Sequence, residues 1–327
     1  MLEASKIKNA EEVKTTDPAL EVKKLSVVFT DRDSSLHVLD KLSFSVSTEE
    51  FVCVLGPSGS GKSTLLRVLA GLLPPSQGEL FYNGTRLAGP QQGVGFVFQK
   101  ANLMPWRTVI ENITLPLELQ NVPKHEAISQ AQALIELVGL EGFEQTLPRD
   151  LSGGMAQRVA IARALVHDPQ ILLFDEPFGS LDALTRERMG TELLRIWQAR
   201  RKTVIMVTHA IPEALYLSDR VLVLSPRPGK LRLDMKVDLP RPRQDEIRYT
   251  TEFSTLAREL RAAIGYGLLD SSKPFQLPCV VRFQRYPLFI WRNCLGETHI
   301  RSITSFHPNF SNWRECSRNC NAKLSGS

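Results

Sequence analysis

The run Gly56-Pro57-Ser58-Gly59-Ser60-Gly61-Lys62-Ser63-Thr64 constrains this chain more than any other stretch. It follows a compact apolar segment, Phe51 to Leu55, that reads as a buried strand, and it precedes Leu65 to Ala70, which reads as a helix. Strand, glycine-rich turn and helix form the context that a phosphate-binding loop needs. Glycines let the backbone wrap closely around an anion, and successive N–H groups at a helix N-terminus then form an anion nest. In such a loop Lys62 would face the β- and γ-phosphates of a nucleotide, and the Ser63 hydroxyl would ligate Mg²⁺. The plain alternative is a strand-to-helix turn that binds nothing. The correct flanking elements weigh against it, so nucleotide binding is the working expectation.

The chain has 327 residues, 43% hydrophobic and 23% charged, which is ordinary for a globular protein with a large core. No run approaches the roughly 18 apolar residues of a membrane helix. Leu277 to Trp291 comes nearest, and Arg282 and Arg285 interrupt it. Residues 1–18 are polar, have no apolar signal core and read as a disordered leader. The net charge of +5 is unevenly placed: residues 271–327 carry eight Lys/Arg against two Asp/Glu. The nearly neutral remainder does not advertise a nucleic-acid surface. Cys53, alone in the first 278 residues, reads as a small buried hydrophobe in a reducing compartment.

Along the chain, Leu20 to Phe29 and Val38 to Val46 alternate well enough for two strands around a polar loop, Thr30 to Ser35. Glu79 to Tyr82 predicts a strand, Asn83-Gly84 a hairpin turn, and Val94 to Phe98 a strand leading to Gln99. Strand signals then vanish, and residues 107–166 read as a helical insertion, with helical spacing at Ala127, Ala131, Leu134, Ile135 and Val138. Beyond it strands (Ile171 to Phe174, Thr203 to Thr208, Val221 to Leu224) alternate with helices (Ala183 to Gln198, Ile211 to Leu217). That alternation predicts a mostly parallel sheet covered on both faces. A strand-like segment, Leu231 to Leu239, and a helix near Ser254 to Ile264 close the body.

Other residues collect around the loop in this topology. Asp175 and Glu176 end an apolar strand, and ligands of parallel sheets gather at strand C-termini. Asp175 is thus expected to hold Mg²⁺, and Glu176 to orient and deprotonate a water. Without the loop, two solvated acids capping a strand would be the better account. His209 ends a second strand, where an imidazole can sense a γ-phosphate. Gln99 ends a third and could reach the metal or the water, or could be a simple surface residue. Ser152-Gly153-Gly154 opens an apolar helix as a second anion-ready N-terminus, or as an ordinary N-cap.

Together these residues resemble the ATP-binding subunits of ABC transporters over about residues 20–265. Gly56–Thr64 is similar to the Walker A loop, Gln99 to the Q-loop and Leu151–Arg158 to the signature motif. Ile171–Glu176 is similar to Walker B, Ser180-Leu181-Asp182 to the D-loop, His209 to the switch histidine, and Phe29 to the aromatic that stacks on adenine. The resemblance implies a P-loop NTPase cassette: an α/β fold with an antiparallel β subdomain and a helical insertion. It also implies ATP and Mg²⁺ as cofactors and a head-to-tail homodimer. Each ATP would lie between Walker A of one subunit and Ser152–Gly154, with Asp182 nearby, of the other.

The stretches Asp175–Arg186, Leu103-Met104-Pro105-Trp106 and Leu224–Gly229 resemble importer ATPases for nitrate, aliphatic sulfonates and taurine. That branch implies two integral membrane permease subunits, an external solute-binding protein, no nucleic acid, and a peripheral place on the cytoplasmic face of the inner membrane. Leu103, Met104 and Trp106 are expected to form an exposed apolar group that receives a permease helix. The main alternative is a soluble ABC-type ATPase of DNA repair or translation; the single cassette and the lack of a heptad run weigh against it. A non-catalytic regulator would be marked by loss of Glu176 or Lys62, and both are present. The ATPase domain is expected over residues 19–268. The tail, 269–327, holds Cys279, Cys294, Cys316 and Cys320 without a Cys-x-x-Cys pair, which argues against a zinc site. Its scattered Cys, Trp and Arg read as an appended segment without a selected fold.

Overall fold

The computed structural model describes residues 18–31, 34–265 and three short strands, 280–281, 288–292 and 298–302. The chain divides into two units, Met1–Leu268 and Leu269–Ser327. In the second, β11 (Val280–Val281), β12 (Leu288–Arg292) and β13 (Thr298–Ser302) form an antiparallel sheet. The four tail cysteines, and the proposed leader up to residue 17, lie outside the described residues.

The first unit is built on a six-stranded sheet ordered β10-β9-β3-β8-β7-β6. Its strands are β3 (Phe51–Leu55), β6 (Val94–Val97), β7 (Ile171–Asp175), β8 (Thr203–Val207), β9 (Arg220–Leu224) and β10 (Leu231–Lys236). Only β10, an edge strand, runs antiparallel to its neighbour. The near-continuous apolar runs of β3 and β8 are buried at every position, as a sheet covered on both faces demands. Successive side chains point to opposite faces. Phe51, Cys53 and Leu55 therefore join Leu172, Phe174, Val204 and Met206 in one core, with α4 (Gly153–Leu165), α5 (Ala183–Ala199), α6 (Ile211–Leu217) and α7 (Thr251–Ile264). Val52 and Val54 join Leu173, Ile205 and Val207 in the other, with α1 (Lys62–Leu69). Burial pushes the Cys53 thiol far up, so it packs as a hydrophobe.

The second core is closed by an antiparallel sheet ordered β2-β1-β4-β5, from β1 (Leu20–Asp31), β2 (Ser34–Val46), β4 (Gln77–Tyr82) and β5 (Thr85–Arg86). Asn83 at φ 45° and Gly84 at φ 74° make the expected hairpin turn between β4 and β5. The expected loop Thr30 to Ser35 is corrected: Thr30 pairs with Ser35 and Asp31 with Ser34, so both strands extend into it. Polarity there marks a solvent-facing hairpin end rather than the absence of strand.

The helical insertion consists of α2 (Val109–Leu119), α3 (Lys124–Leu137) and α4. Thr108 and Glu111 form a reciprocal capping box at the start of α2. Asn112, fully buried, accepts from Met104 N–H at 2.7 Å and donates to the carbonyls of Arg107 and Thr108, which folds the preceding segment into a turn. That turn corrects the expected apolar group. Leu103 packs against the core and Met104 is half-buried, whereas Trp106 is 73% exposed.

The division of the chain at Leu268 predicts that a version ending at Ser272 folds by itself. Its urea midpoint should match that of the full chain. Loss of cooperative unfolding on truncation would show instead that the first unit depends on the tail.

Candidate nucleotide site

β3 ends at Leu55, and the chain turns through Gly56–Gly61 into α1. Gly61 caps the helix at φ 93°, a left-handed conformation, and a Cβ there would stand 2.6 Å from Leu39 Cδ2. Glycine is required on both counts. Lys62 is buried, and its ammonium donates back across the loop to the carbonyls of Gly56 (2.9 Å) and Pro57 (3.1 Å). Burial pulls its pKa down, while Glu176 and Asp175 oppose that shift. The ammonium lies 4.0 Å from Glu176 Oε1.

β7 delivers the acids. Asp175 Oδ1 accepts the Ser63 hydroxyl at 2.8 Å, tying the strand end to the first turn of α1. Burial pushes the Asp175 carboxyl up, and the Ser63 hydrogen bond acts against it. Glu176 takes φ 45°, left-handed for a residue with a side chain. Such strain costs on the order of 1–3 kcal/mol and persists only where the surroundings enforce it. Here the Glu176 N–H is held by the Val207 carbonyl at 2.9 Å and its carbonyl by the Gly179 N–H at 3.0 Å. The carboxylate is thereby aimed so that Oε2 meets His209 Nδ1 at 3.2 Å. His209 itself follows β8, as its place in the sequence predicts.

A cavity of about 380 Å³ runs over the loop. Ser58, Gly59, Gly61, Lys62, Ser63, Thr64 and Glu176 line its floor, and Phe29, Leu36 and Val38 line one end. Phe29 and Leu36 are cross-strand partners in β1 and β2, so together they present an apolar wall suited to a flat ring. Ser60, wholly buried, turns inward instead, and the carbonyl of Pro57 accepts its N–H. Gln99 lies two residues beyond the end of β6, later than the strand predicted to reach it. A Cβ on Gly179 would stand 3.2 Å from the Gln99 amide nitrogen and 3.5 Å from Glu176 Oε2, so both side chains lie beside Gly179.

Ser152, Gly153, Gly154 and Asp182 do not line this cavity. Ser152 caps α4, accepting from Met155 N–H at 3.3 Å, and Asp182 caps α5, accepting from Thr185 N–H at 3.0 Å. The two helix starts abut, since a Cβ on Gly153 would stand 3.3 Å from Leu181 Cδ2. Both side chains thus act as helix N-caps, and this segment and the glycine-rich loop are separate places in the chain. Arg227 is a site residue that motif spacing did not single out: it lines the cavity, and its Nε lies 3.4 Å from the Gly59 carbonyl. Its position in the stretch Leu224–Gly229 was the one available signal. Gly229, two residues further on, allows the close approach, for a Cβ there would stand 2.2 Å from the Ser60 carbonyl.

The arrangement can hold a polyanion on backbone N–H groups, place a hydroxyl and a carboxylate beside it, and present a second carboxylate braced by an imidazole. Known proteins are similar to this chain. The ABC transporter family model matches residues 39–179. An uncharacterized ABC transporter ATP-binding protein of Methanocaldococcus jannaschii is 48% identical over 254 residues, 78% of this chain and 94% of that protein. An aliphatic sulfonates import ATP-binding protein of Bacillus cereus is 41% identical over 246 residues, 75% of this chain and 96% of that one. A nitrate import ATP-binding protein of Synechocystis is 45% identical over 221 residues, 68% of this chain and 83% of its own length. Among solved structures, a dimeric ATP-binding cassette in a post-hydrolysis state with ADP and Pi superposes with a TM-score of 0.59 at 31% identity, over 68% of this chain and all of that one. The chain belongs to the ABC transporter family of ATP-binding proteins.

Proposed function

We propose that this chain hydrolyses ATP to drive import of a small oxyanion, sulfonate or nitrate in class, through a membrane transporter. The observation that carries the reading is the meeting of three groups at one edge of the parallel sheet. These are the Gly56–Thr64 nest with Lys62, the Ser63–Asp175 pair and the Glu176–His209 pair. The triphosphate lies along the loop with Lys62 leaving the Gly56 and Pro57 carbonyls for the β- and γ-oxygens. The adenine rests against Phe29 and Leu36.

Ser63 Oγ and Asp175 Oδ1, hard oxygen donors 2.8 Å apart, fit Mg²⁺, with the Gln99 side chain as a further donor. When bound there, Mg²⁺ neutralises charge on the phosphate oxygens. Glu176 accepts the proton of the attacking water, and His209 holds the carboxylate in place and faces the γ-phosphate. Ser152, Gly153, Gly154 and Asp182 stand away from this cavity, so they serve the nucleotide of a second copy in a head-to-tail dimer. Among the described residues no helix is long and apolar enough to cross a membrane. The solute path therefore belongs to two permease subunits, fed by a solute-binding protein, and this chain sits peripherally on their cytoplasmic side. A groove of about 990 Å³ beside Trp106, lined also by Ile110, Val122, Ala127 and Ile128, is where the permease docks.

Three outcomes check this account. Glu176→Gln should keep ATP affinity, lose about 10²–10⁴-fold in hydrolysis and accumulate as an ATP-bound dimer by size-exclusion chromatography; wild-type turnover would remove Glu176 as the base. Gly61→Ala should abolish ATP binding in calorimetry, because the added Cβ collides with Leu39 and forces the loop open. Trp106→Glu should leave the ATPase rate of the isolated chain unchanged while abolishing uptake of labelled taurine or nitrate in a reconstituted importer. Normal uptake by that variant would place the permease contact elsewhere.

A further inference from the structure

The cluster behind His209 contains a carboxylate that the reading above does not use. Thr208, the residue before His209, is buried, and its N–H donates to the Val54 carbonyl at 3.2 Å. Its hydroxyl accepts from the Ala210 N–H at 3.1 Å and donates to Glu213 Oε2. The peptide that follows His209 is therefore held by the Thr208 hydroxyl, and that hydroxyl is oriented by Glu213. Glu213 lies in the first turn of α6, where the helix dipole favours a negative charge. Burial pushes its carboxyl up, while the Thr208 hydrogen bond, Arg186 and His209 favour the ionised form.

Arg186 lies in one close-packed group with Glu213, Thr208, His209, Glu176 and Gly179. Its Nη2 donates to the Leu181 carbonyl at 3.1 Å, and its Nε is buried without a hydrogen-bond partner among the described residues. Leu181 in turn abuts the first turn of α4 at Gly153. Glu213 thus holds the turn that aims His209, while the nearby Arg186 is bonded to the segment that touches the Ser152–Gly154 helix start.

We propose that Glu213 is a positioning residue for hydrolysis: it holds the Thr208–Ala210 turn so that His209 braces Glu176. The proposal rests on the reading of Glu176 and His209 as groups of the hydrolytic site. A hydrogen-bond acceptor is needed at this place, because without one the Thr208 hydroxyl is no longer oriented toward the Ala210 N–H. Alanine would release the hydroxyl to rotate. Glutamine would keep the acceptor for Thr208 and lose only the charge.

The test is steady-state ATPase kinetics on the full chain with Glu213→Ala, Glu213→Gln and Thr208→Ala, each with its melting temperature, beside Glu176→Gln and His209→Ala as references. Misplacing a catalytic group by a fraction of its reach costs rate and not substrate affinity. Glu213→Ala and Thr208→Ala should each lower kcat by about 10- to 100-fold with KM for ATP within about twofold. Glu213→Gln should recover kcat to within about threefold of the wild type. Thr208→Ala carries the test if Glu213→Ala does not fold. A lower melting temperature with kcat and KM unchanged would make Glu213 a purely structural residue and overturn the proposal, as would a kcat in Glu213→Gln as low as in alanine. If Glu176→Gln and His209→Ala both turn over at the wild-type rate, the assignment of the hydrolytic site has failed rather than the placement of Glu213.

Discussion

The hydrogen bond from Ser63 to Asp175 is the contact on which the site depends. It joins the first turn of α1 to the end of β7, two places 112 residues apart in the chain. β8 lies between β3 and β7 in the sheet, so this bond spans a strand and sets the loop and the acids at a common height. Lys62 is the residue before Ser63 and Glu176 the residue after Asp175, so the bond fixes the starting points of both side chains. The parallel order makes this possible, because parallel strands deliver all their C-terminal ends to one edge.

Around that edge, the molecule uses main-chain geometry more than side-chain chemistry. Glu176 is held at a left-handed φ by two backbone hydrogen bonds, and it points at His209 as a result. At the other end of α6, the buried Arg243 guanidinium donates to the carbonyls of Leu215, Tyr216 and Ser218. These are terminal carbonyls that a helix leaves unpaired. The helix carrying Glu213 is thereby pinned at its C-terminus as well. Desolvation draws the Arg243 pKa down to about 10, and the guanidinium still stays charged at neutral pH.

The helical insertion is attached to the sheet through α4. Gln157 donates to the Phe98 carbonyl at 3.3 Å, and Arg163 donates to the carbonyls of Ala101 and Asn102 at 2.8 and 3.0 Å. The residues on both sides of Gln99 are thus gripped by the helix that begins at Ser152. A displacement at Gln99 would be passed to α4 through three hydrogen bonds, and rigid-body rotation of the insertion needs such a coupling. Sequence spacing pointed to Gln99 and to Ser152–Gly154 separately; the link between them is made by Gln157 and Arg163, whose amphipathic positions on α4 carry no marker of their own.

The order of elements, the parallel sheet, the phosphate loop and the acids after β7 were all legible in the residues, because each rests on a local rule. Apolar runs of five make buried strands, glycines make left-handed turns, and a strand's C-terminus in a parallel sheet is where ligands gather. Several features were not legible. Thr30, Asp31, Ser34 and Ser35 continue the two strands, since the ladder of β1 and β2 pairs them whatever their side chains. Leu103 and Met104 are drawn in by Asn112 rather than left outside with Trp106. Arg227 and Glu213 entered the site through loop and helix packing that no spacing encodes. Which chemical groups the protein possesses is written in the chain. Which of them touch was settled by sheet order and by hydrogen bonds between residues far apart, because those contacts exist only after the strands have chosen their neighbours.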